Sequence, residues 1–349
     1  MTQINLVAID LAKNSFHVRA VNHAGKALIN RKVHRDALME TIVSFPRGIR
    51  IAMEACATSH FWGRSFEAHG YKVSLIAPQY VKPFVKSQKN DKNDAQGIAD
   101  AASRDGMRFV PVKSIEQQDI QSLHRVRERY HRSRTALMNE LRGLLMEYGF
   151  VTPTGRPALG RLVPLVFEST TITDTMKALT HDLWEELLAI EARLSKLTKQ
   201  IESTAATNDV CRRLMTIPGI GEITASALYA AAVHMKFKNG RQFAAFLGLV
   251  PRQSSTGGKE KLGKITKHGD KYVRKLLVHG ARSVLQQAHR RDDQYNSWAL
   301  SMRKTKGYTK GAVAVANRNA RIAWAIMSSD ASFKHDFTPA TQQGGAMVH

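Results

Sequence analysis

The chain of 349 residues has two cysteines, Cys56 and Cys211, and no long apolar run. Two cysteines cannot make a disulfide framework or a four-cysteine zinc site, so we expect a protein of the reducing cytosol. No run approaches the roughly 18 apolar residues of a membrane span, so no membrane partner is expected. The opening MTQINLVAIDLAK carries Asp10 in its apolar part and no basic leader, which is not the pattern of a secretory signal.

Acidic residues are also scarce. The chain has 29 Asp and Glu against 52 Lys and Arg, so its formal net charge is +23. A folded protein this basic usually binds a polyanion, and nucleic acid is the first candidate. An anionic membrane surface and a ribosomal role are the other candidates that charge alone leaves open. The charge is concentrated, because residues 251–310 hold 15 Lys and Arg against 4 Asp and Glu.

Apolar residues make up 43% of the chain, and its length predicts two or three domains with cores of their own. In the first 110 residues, short apolar or alternating runs predict strands at 4–10, 15–21, 27–33, 49–54 and 72–76. Amphipathic stretches at 35–45 and 59–69 predict helices. This order is typical of a mixed sheet with helices on its faces.

Leucine-rich periodicity predicts two long helices in the middle of the chain. The clearer set occupies positions 183, 187, 190, 194, 197 and 201, at the alternating steps of four and three that define an a/d seam. A stretch with proline and glycine, 151–164, links the helices. The pattern fits an antiparallel hairpin within one chain and a coiled coil between subunits equally well.

From residue 208 onward the pattern is helical with loops. The segment LMTIPGIGEITASALYA predicts two helices joined by a tight turn with Pro218, Gly219 and Gly221. Glycines let backbone N–H groups approach a phosphate beside a helix N-terminus, as in the helix-hairpin-helix pattern of DNA-backbone binding. A plain turn between helices is the alternative. The polar, glycine-rich tail, 336–349, predicts disorder.

Four carboxylates are candidates for a metal site. Asp10 and Glu54 each end a predicted strand, where an acid is costly unless it binds something. Asp91 and Asp94 are three residues apart, so they share one face if their segment is helical. Carboxylates that converge from separate elements repel each other, and a hard divalent cation such as Mg²⁺ removes that repulsion. Each acid taken alone could instead be a surface residue or a helix cap, but the four together, with the strand order before them, favour a metal site.

A second candidate site is the Gly-flanked loop with Ser254, Ser255 and Thr256. A hydroxyl is a poor nucleophile unless a base, a metal or a positive field activates it. Spacing alone does not identify a nucleophile here, and a flexible phosphate-binding loop is the ordinary interpretation. The candidate nucleic-acid contacts, in this segment and elsewhere, are Lys13, Pro218, Gly219, Gly221, Arg252, Lys259, Lys261, Lys264, Lys267, Lys271 and Arg274.

These segments together resemble the DEDD transposases of the insertion-sequence 110 family, and the Pro-Arg-Gln before the serines resembles its 1111 subgroup. The matching segments are VAIDLAKNSFHV, IAMEACATSHFWGR, LIAPQYVKPFVKSQKNDKNDAQ, LMTIPGIGEITA, FLGLVPRQSSTGGKEKLGKITKHGDKYVRKLLVHGAR and GAVAVANRNARIAWAIM. They follow one another over nearly the whole chain. The order of strands and acids in the first segments resembles the ribonuclease-H-like nuclease fold, of the Holliday-junction-resolvase (RuvC) type.

The resemblance implies an α/β plus α architecture. A RuvC-type mixed sheet occupies 1–112, coiled-coil helices 113–206, and a mainly helical transposase domain with the helix-hairpin-helix 207–335. It implies that Asp10, Glu54, Asp91 and Asp94 bind Mg²⁺ or Mn²⁺, and that Ser255 forms a phosphoserine bond with DNA. Ser254 is an additional hydroxyl beside that position.

The resemblance also implies partners. These are donor and target DNA, a non-coding guide RNA from the element, and further copies of the chain in a dimer or tetramer held by the coiled coil. The expected location is the bacterial cytoplasm, at the nucleoid.

Two other functions remain open. A metal-dependent, structure-selective endonuclease would use the acids to activate water and would tolerate Ser255→Ala. A non-catalytic nucleic-acid-binding protein would lose nothing but minor stability on Asp10→Ala. From composition and spacing alone, only a metal-dependent nuclease or a nucleic-acid-binding protein is predicted.

Overall fold

The computed structural model describes residues 3–85, 91–232, 235, 237–257 and 259–334, except for the side chains of Asp91, Lys92 and Lys259. The chain divides into two compact units, Met1–Glu116 and Gln117–His349. The predicted tail, 336–349, lies outside the described residues.

The first unit is built on a six-stranded mixed sheet. Its strands are β1 (Ile4–Leu11), β2 (Ser15–Asn22), β3 (Ala27–His34), β4 (Arg50–Glu54), β5 (Lys72–Ile76) and β6 (Phe109–Val110). Its helices are α1 (Leu38–Val43), α2 (Ser59–Ala68), α3 (Pro78–Val81) and α4 (Asp91–Ala102), with a 3₁₀ turn at Lys82–Phe84. The order across the sheet is β3-β2-β1-β4-β5-β6.

The sheet combines an antiparallel half with a parallel half. Strand β2 pairs antiparallel with β1 and β3, whereas β4 pairs parallel with β1 and β5, and β6 closes the far edge antiparallel. The prediction of a mixed α/β sheet is confirmed, and the first five strands agree with the predicted ones to within one residue at each end. The predicted helix at 35–45 is shorter, since α1 spans Leu38–Val43.

Both faces of the central strands are buried. On one face Ile9 and Met53 pack with α1 and α2 in a core that includes Trp62 and Phe66. On the other face small residues such as Ala8 lie under α4. Strands covered on both sides read as continuous apolar runs, which is why β1 is easily recognised in the sequence.

The second unit is mainly helical. Its elements are α5 (Ile115–Met146), α6 (Arg156–Glu168), α7 (Asp174–Thr207), α8 (Asp209–Leu214), α9 (Glu222–Ala232), α10 (Gly240–Phe246), β7 (Pro251–Thr256), β8 (Lys259–Ile265), α11 (Lys271–Gln287), a 3₁₀ turn (Ala288–Arg290), α12 (Gln294–Lys306) and α13 (Tyr308–Met327). Helix α5 starts just before the boundary between the two units. The central helices and the C-terminal helices form one compact unit.

Helices α5 and α7 pack antiparallel. Arg127 on α5 donates to Thr198 Oγ1 on α7 at 2.9 Å, and Arg134 donates to Glu191 Oε1 at 2.8 Å. Seven residues forward on α5 thus correspond to seven residues backward on α7. Part of the α7 heptad seam belongs to an apolar cluster with α5 and α6, whose buried members from the two long helices are Leu137, Leu141, Leu145, Met176, Leu187, Ile190 and Leu194. The seam is therefore used within the chain, as in the hairpin alternative.

The expected proline- and glycine-bearing linker, 151–164, is in part a helix. Pro157 occupies the first turn of α6, where a missing N–H costs no hydrogen bond. Leu159, Leu162 and Val163 of α6 are buried in the apolar core that α6 shares with α5 and α7. The gain from this burial outweighs the helix-breaking tendency of Pro164, so the stretch that links the two long helices is itself helical from Arg156.

A buried histidine joins α5 to the C-terminal helices. His124 is 3% exposed, with Nδ1 3.0 Å from the Tyr272 hydroxyl on α11 and Nε2 3.1 Å from Ser226 Oγ on α9. Ser226 itself donates to the carbonyl of Glu222, so Nε2 donates to Ser226 and Nδ1 accepts from Tyr272. This arrangement is complete with a neutral ring. Burial, together with the charge of Arg127, lowers the pKa of His124 to about 4.

We predict that acid weakens this connection. Because the folded pKa lies below the ordinary value of 6.5, the unfolded chain takes up the proton first as the pH falls. The free energy of unfolding should drop by roughly 1.4 kcal/mol per pH unit between about 6.5 and 4, and level off below. Thermal unfolding of His124→Gln should show a shallower pH dependence than wild type, whereas the exposed His279→Gln should not. Equal slopes in wild type and His124→Gln would contradict the assignment.

Candidate active site

Asp10 and Glu54 occupy neighbouring strand ends. The parallel register pairs Ile9 of β1 with Met53 of β4, and the next residue of each strand is one of the two acids. Successive side chains of a strand alternate between its faces, so both acids lie on the face that α4 covers. Both are half-buried. The strand pairing therefore fixes the two carboxylates side by side.

Helix α4 begins at this same end of the sheet. Arg50, the first residue of β4, donates from Nη2 to the carbonyl of Ala102, the last residue of α4, at 2.9 Å. The helix thus ends where β4 begins and runs back along the sheet. Twelve helical residues and five strand residues both cover about 17 Å, so α4 starts near the end of β4 that carries Glu54.

Asp94 lies on the sheet-facing side of α4. It precedes Ile98 by four residues and Ala101 by seven, and both of these are buried against the sheet. Asp94 itself is half-buried. Asp91 is the first residue of α4, one turn earlier, and its side chain lies outside the described residues. The structure thus brings Asp10, Glu54 and the first turn of α4 to one end of the sheet.

The pKa of the Cys56 thiol is affected by the negative charge at the acidic end of the sheet. Burial, followed by the charges of Glu54 and Asp10, raises the pKa of Cys56 to about 11. Both half-buried carboxylates therefore lie close enough to act on the same thiol. Such a field favours a bound cation. Among the side chains that the structure describes, no three or more His, Cys, Asp and Glu groups are arranged to hold a metal ion.

Lys13 lies in the turn that follows β1. Its side chain is exposed, and its carbonyl accepts a hydrogen bond from Arg35 Nη1 at 3.1 Å. This contact fixes the turn three residues beyond Asp10. The structure thus places a cation near the acidic strand ends, and the sequence leaves a phosphate contact and a solvated side chain as equal alternatives for it.

The serine segment is a two-stranded ribbon, so the expectation of a loop was wrong. Strands β7 and β8 pair antiparallel, with Ser255 opposite Glu260 and Ser254 opposite Lys261. Gly257 turns the chain between them with φ +58°. Every residue of β7 is exposed. An exposed polar ribbon has no apolar face, so it lacks the hydrophobic alternation by which strands are usually recognised.

The ribbon separates the candidate nucleophiles onto opposite faces. Gln253 donates from Nε2 to Ser255 Oγ at 3.0 Å and to Glu260 Oε1 at 3.2 Å. Ser254 points to the other face, with Arg252 two residues before it and Lys261 across the ribbon. Ser255 thus has a hydrogen-bonded partner that orients its hydroxyl, whereas Ser254 lies among cations.

The other predicted cations of this segment are mostly on the surface. Arg252, Lys261, Lys264, Lys267 and Lys271 are exposed, and Lys259 has its side chain outside the described residues. Arg274 differs, since it is 8% exposed and donates to the carbonyls of Leu247 and His268 at 3.0 and 2.7 Å. These two bonds tie the segment after the ribbon to the end of α10, so Arg274 is engaged inside the domain.

Two family models match the chain. Residues 7–150 match the model for DEDD transposases of the IS110 type, described as "Transposase", and residues 211–296 match the "Transposase IS116/IS110/IS902 family". The first match contains the acids, and the second contains the Pro-Gly turn and the serine ribbon.

Similar proteins extend over the same length. The chain is 43% identical to the "Probable family 20 transposase" of Pseudomonas aeruginosa, over 95% of this chain and 99% of that protein. It is 40% identical to the "Transposase for insertion sequence element IS1111A" of Coxiella burnetii, over 96% and 92%. It is 36% identical to the "Transposase for insertion sequence element IS1328" of Yersinia enterocolitica, over 95% and 99%. The chain belongs to the IS110/IS116/IS902 family of DEDD transposases. It is a DNA transposase.

Within the described part of the transposase, no helix is both long and apolar enough to cross a membrane. Among the side chains that sequence reasoning missed, Gln253 and Glu260 touch or face Ser255, and Cys56 lies beside the acids. The two-residue step from Gln253 to Ser255 would have indicated a shared face, had a strand been predicted there.

The Pro-Gly turn of the transposase joins α8 to α9 and is packed against α11. Gly219 has φ +82°, and a Cβ there would lie 2.6 Å from the carbonyl oxygen of Gly280. Asn319 on α13 donates to the carbonyl of Pro218 at 2.8 Å. The turn lines a concavity of about 420 Å³, to which Ser283 and Arg291 also contribute. Tight backbone packing thus explains Gly219, and the concavity leaves the N-terminal end of α9 accessible.

The two glycines of the turn should respond differently to substitution. Gly219→Ala combines a positive φ with a backbone clash, so we expect it to cost roughly 1–3 kcal/mol and to lower the melting temperature of the transposase. Gly221→Ala meets no atom within 4 Å and should change stability by less than about 0.5 kcal/mol. Thermal unfolding of both variants measures this. Equal melting temperatures would contradict the role of the Gly219–Gly280 contact.

Proposed function

We propose that the transposase cleaves and rejoins DNA through a covalent bond between Ser255 Oγ and the scissile phosphorus. The observation that carries the proposal is the exposed ribbon, which presents the hydrogen-bonded hydroxyl of Ser255 on one face and a group of cations on the other. The acids and this hydroxyl lie in separate compact units of the chain. Ser255 is preferred over Ser254 because Gln253 orients it and because the resemblance places the nucleophile at this position.

The proposed reaction conserves the phosphodiester energy. Ser255 Oγ forms a bond to phosphorus, the bond from phosphorus to one sugar oxygen breaks, and that oxygen leaves as a hydroxyl after taking a proton. The serine proton passes to a base, and Glu260, across the ribbon and bonded to the same amide as Ser255, is suitably placed to accept it. After strand exchange, a sugar hydroxyl attacks phosphorus and Ser255 leaves. No external energy source is needed.

We propose that Asp10, Glu54, Asp91 and Asp94 hold Mg²⁺ or Mn²⁺. Support comes from the chemistry of the donors, since hard oxygen ligands suit these cations, and from the proximity of Glu54 and Asp10 to Cys56, whose pKa is raised first by burial and then by these two charges. Such a cation, when bound, withdraws charge from phosphate oxygens and orients the phosphate. The chain's own contribution is the parallel β1–β4 pairing, which holds two of the carboxylates at fixed positions. The strand order of the sheet supports a ribonuclease-H-like, RuvC-type fold.

Recognition of sequence is proposed to rest with a guide RNA. Lys13, Arg252, Lys261, Lys264, Lys267 and Lys271 present exposed charges, which bind phosphates without reading bases. The Pro-Gly turn, as a helix-hairpin-helix, would add backbone N–H contacts to a phosphate. For Arg274 we propose an indirect role, in positioning the segment between the ribbon and α11. Base pairing with an RNA would then select donor and target sites, as in other guided enzymes.

The covalent intermediate can be detected directly. On a denaturing gel, the wild-type transposase, expressed with its flanking non-coding DNA, should form a protein–DNA adduct that Ser255→Ala abolishes. Ser254→Ala, on the opposite face of the ribbon, is the matched control and should retain the adduct. An adduct that persists in Ser255→Ala would transfer the role to Ser254 or Thr256. Nicked DNA without any adduct, dependent on Mg²⁺, would establish a hydrolytic endonuclease instead.

We further propose that one reaction centre combines the acids of one subunit with the serine of another in an oligomer. Asp10→Ala and Ser255→Ala chains should each be inactive alone, with activity reduced at least about a hundredfold, as is typical when a catalytic group is removed. Co-expressed, the two should recover part of the activity, because mixed oligomers contain some intact centres. Recombination of a reporter plasmid measures this. No recovery, with mixed oligomers demonstrated by pull-down, would show that each centre is built from one chain.

A further inference from the structure

Helix α5 carries a dense group of arginines near its middle. Five arginines and one glutamate lie between residues 125 and 134. Two of the five face inward. Arg127 donates to Thr198 on α7, and Arg134 donates to Glu191. The packing of α5 on α7 accounts for these two.

The other three arginines face solvent. Arg125, Arg129 and Arg132 are exposed and follow one another at steps of four and three, so they lie within about 60° of each other on the helix. They span about 10 Å along α5. Arg132 is paired with Glu128 at 3.4 Å, but its side chain is 79% exposed, and such a pair contributes little to stability. Arg129 also lies over the ring of Tyr130, with Cζ 4.3 Å from the ring centroid, an exposed contact that leaves its charge open to solvent.

Helix α11 adds a second row beside the first. His124 contacts Tyr272, and Glu128 forms an ion pair with Lys275, so an advance of four residues on α5 matches three on α11. The two helices therefore run side by side in the same direction. The exposed face of α11 carries, at steps of four, four and three, Lys271, Lys275, His279 and Arg282. This row spans about 16 Å.

We propose that these two rows, the α5/α11 basic surface, bind the sugar-phosphate backbone of duplex DNA. Cations at one-turn spacing on two adjacent helices face a surface whose phosphates recur every few ångströms. A second copy of the chain is disfavoured here, because it would place arginine rows against each other. The surface also adjoins the serine ribbon, since only five residues separate the end of β8 from the start of α11. DNA bound at the ribbon can continue along α11 onto α5.

Duplex DNA is favoured over RNA because DNA is the substrate on which the transposase acts. The proposal does not depend on the serine chemistry. It holds equally if the reaction is hydrolytic, and it concerns binding, which is measured without turnover.

The test is the salt dependence of binding. Full-length wild type and the triple variant Arg125→Gln, Arg129→Gln, Arg132→Gln are titrated with a labelled random-sequence DNA duplex between about 50 and 200 mM salt. Each lost phosphate contact lowers the slope of log K against log salt by about 0.9, so the triple variant should lose between about 2 and 3. Its affinity at low salt should fall roughly tenfold or more. The triple lysine variant should restore most of the binding.

A matched control removes equal charge elsewhere. Lys26→Gln, Arg31→Gln and Lys32→Gln remove three exposed cations at and beside the edge strand β3 in the first unit. This control should keep the wild-type slope. An unchanged slope in the α5 variant overturns the proposal. An equal loss in the control overturns it too, because net charge would then explain the effect. Loss of binding to structured RNA with unchanged binding to duplex DNA would reassign the surface to RNA.

Discussion

The parallel pairing of β1 with β4 places two carboxylates at adjacent strand ends, and the acidic end of the first unit depends on this pairing. Like charges held this close repel each other, so the arrangement costs free energy in the absence of a cation. The cost is offset by burial on both faces of the sheet, where α1 and α2 cover one side and α4 the other. The apolar core thus stabilises the fold, whereas the acidic strand ends destabilise it locally.

The serine ribbon follows a different principle. It is stabilised by backbone pairing and anchored through the segment that Arg274 ties to α10, while its own side chains remain in water. A two-stranded ribbon on its own is only marginally stable. Its two faces differ in chemistry, with Gln253, Ser255 and Glu260 on one and Arg252, Ser254 and Lys261 on the other. The oriented hydroxyl of Ser255 therefore lies on the face opposite the cations, and Ser254 lies among them.

The sequence predicted the sheet well and the ribbon poorly, for a physical reason. Strands such as β1 bury both faces, so their apolar runs are visible in the residues themselves. Every residue of β7 is exposed, and the side chains that alternate between the two faces of the ribbon are mostly polar. The inward orientation of Arg274 could not be predicted either, because one arginine in a basic segment resembles the next until its carbonyl partners are known. Likewise, the α7 heptads could not distinguish α5 from a second subunit, because a leucine seam fits both partners.

The contact between Gly219 and Gly280 has a mechanical consequence. No side chain lies between the Pro-Gly turn and α11 at this point, because a Cβ on either glycine would meet the other's carbonyl oxygen. Close-packed backbone transmits a displacement instead of absorbing it. Helix α11 is also the next helix after the serine ribbon, so the helix that packs on the Pro-Gly turn is connected to the ribbon through residues 266–270. The turn and the ribbon thus share α11 as a common support.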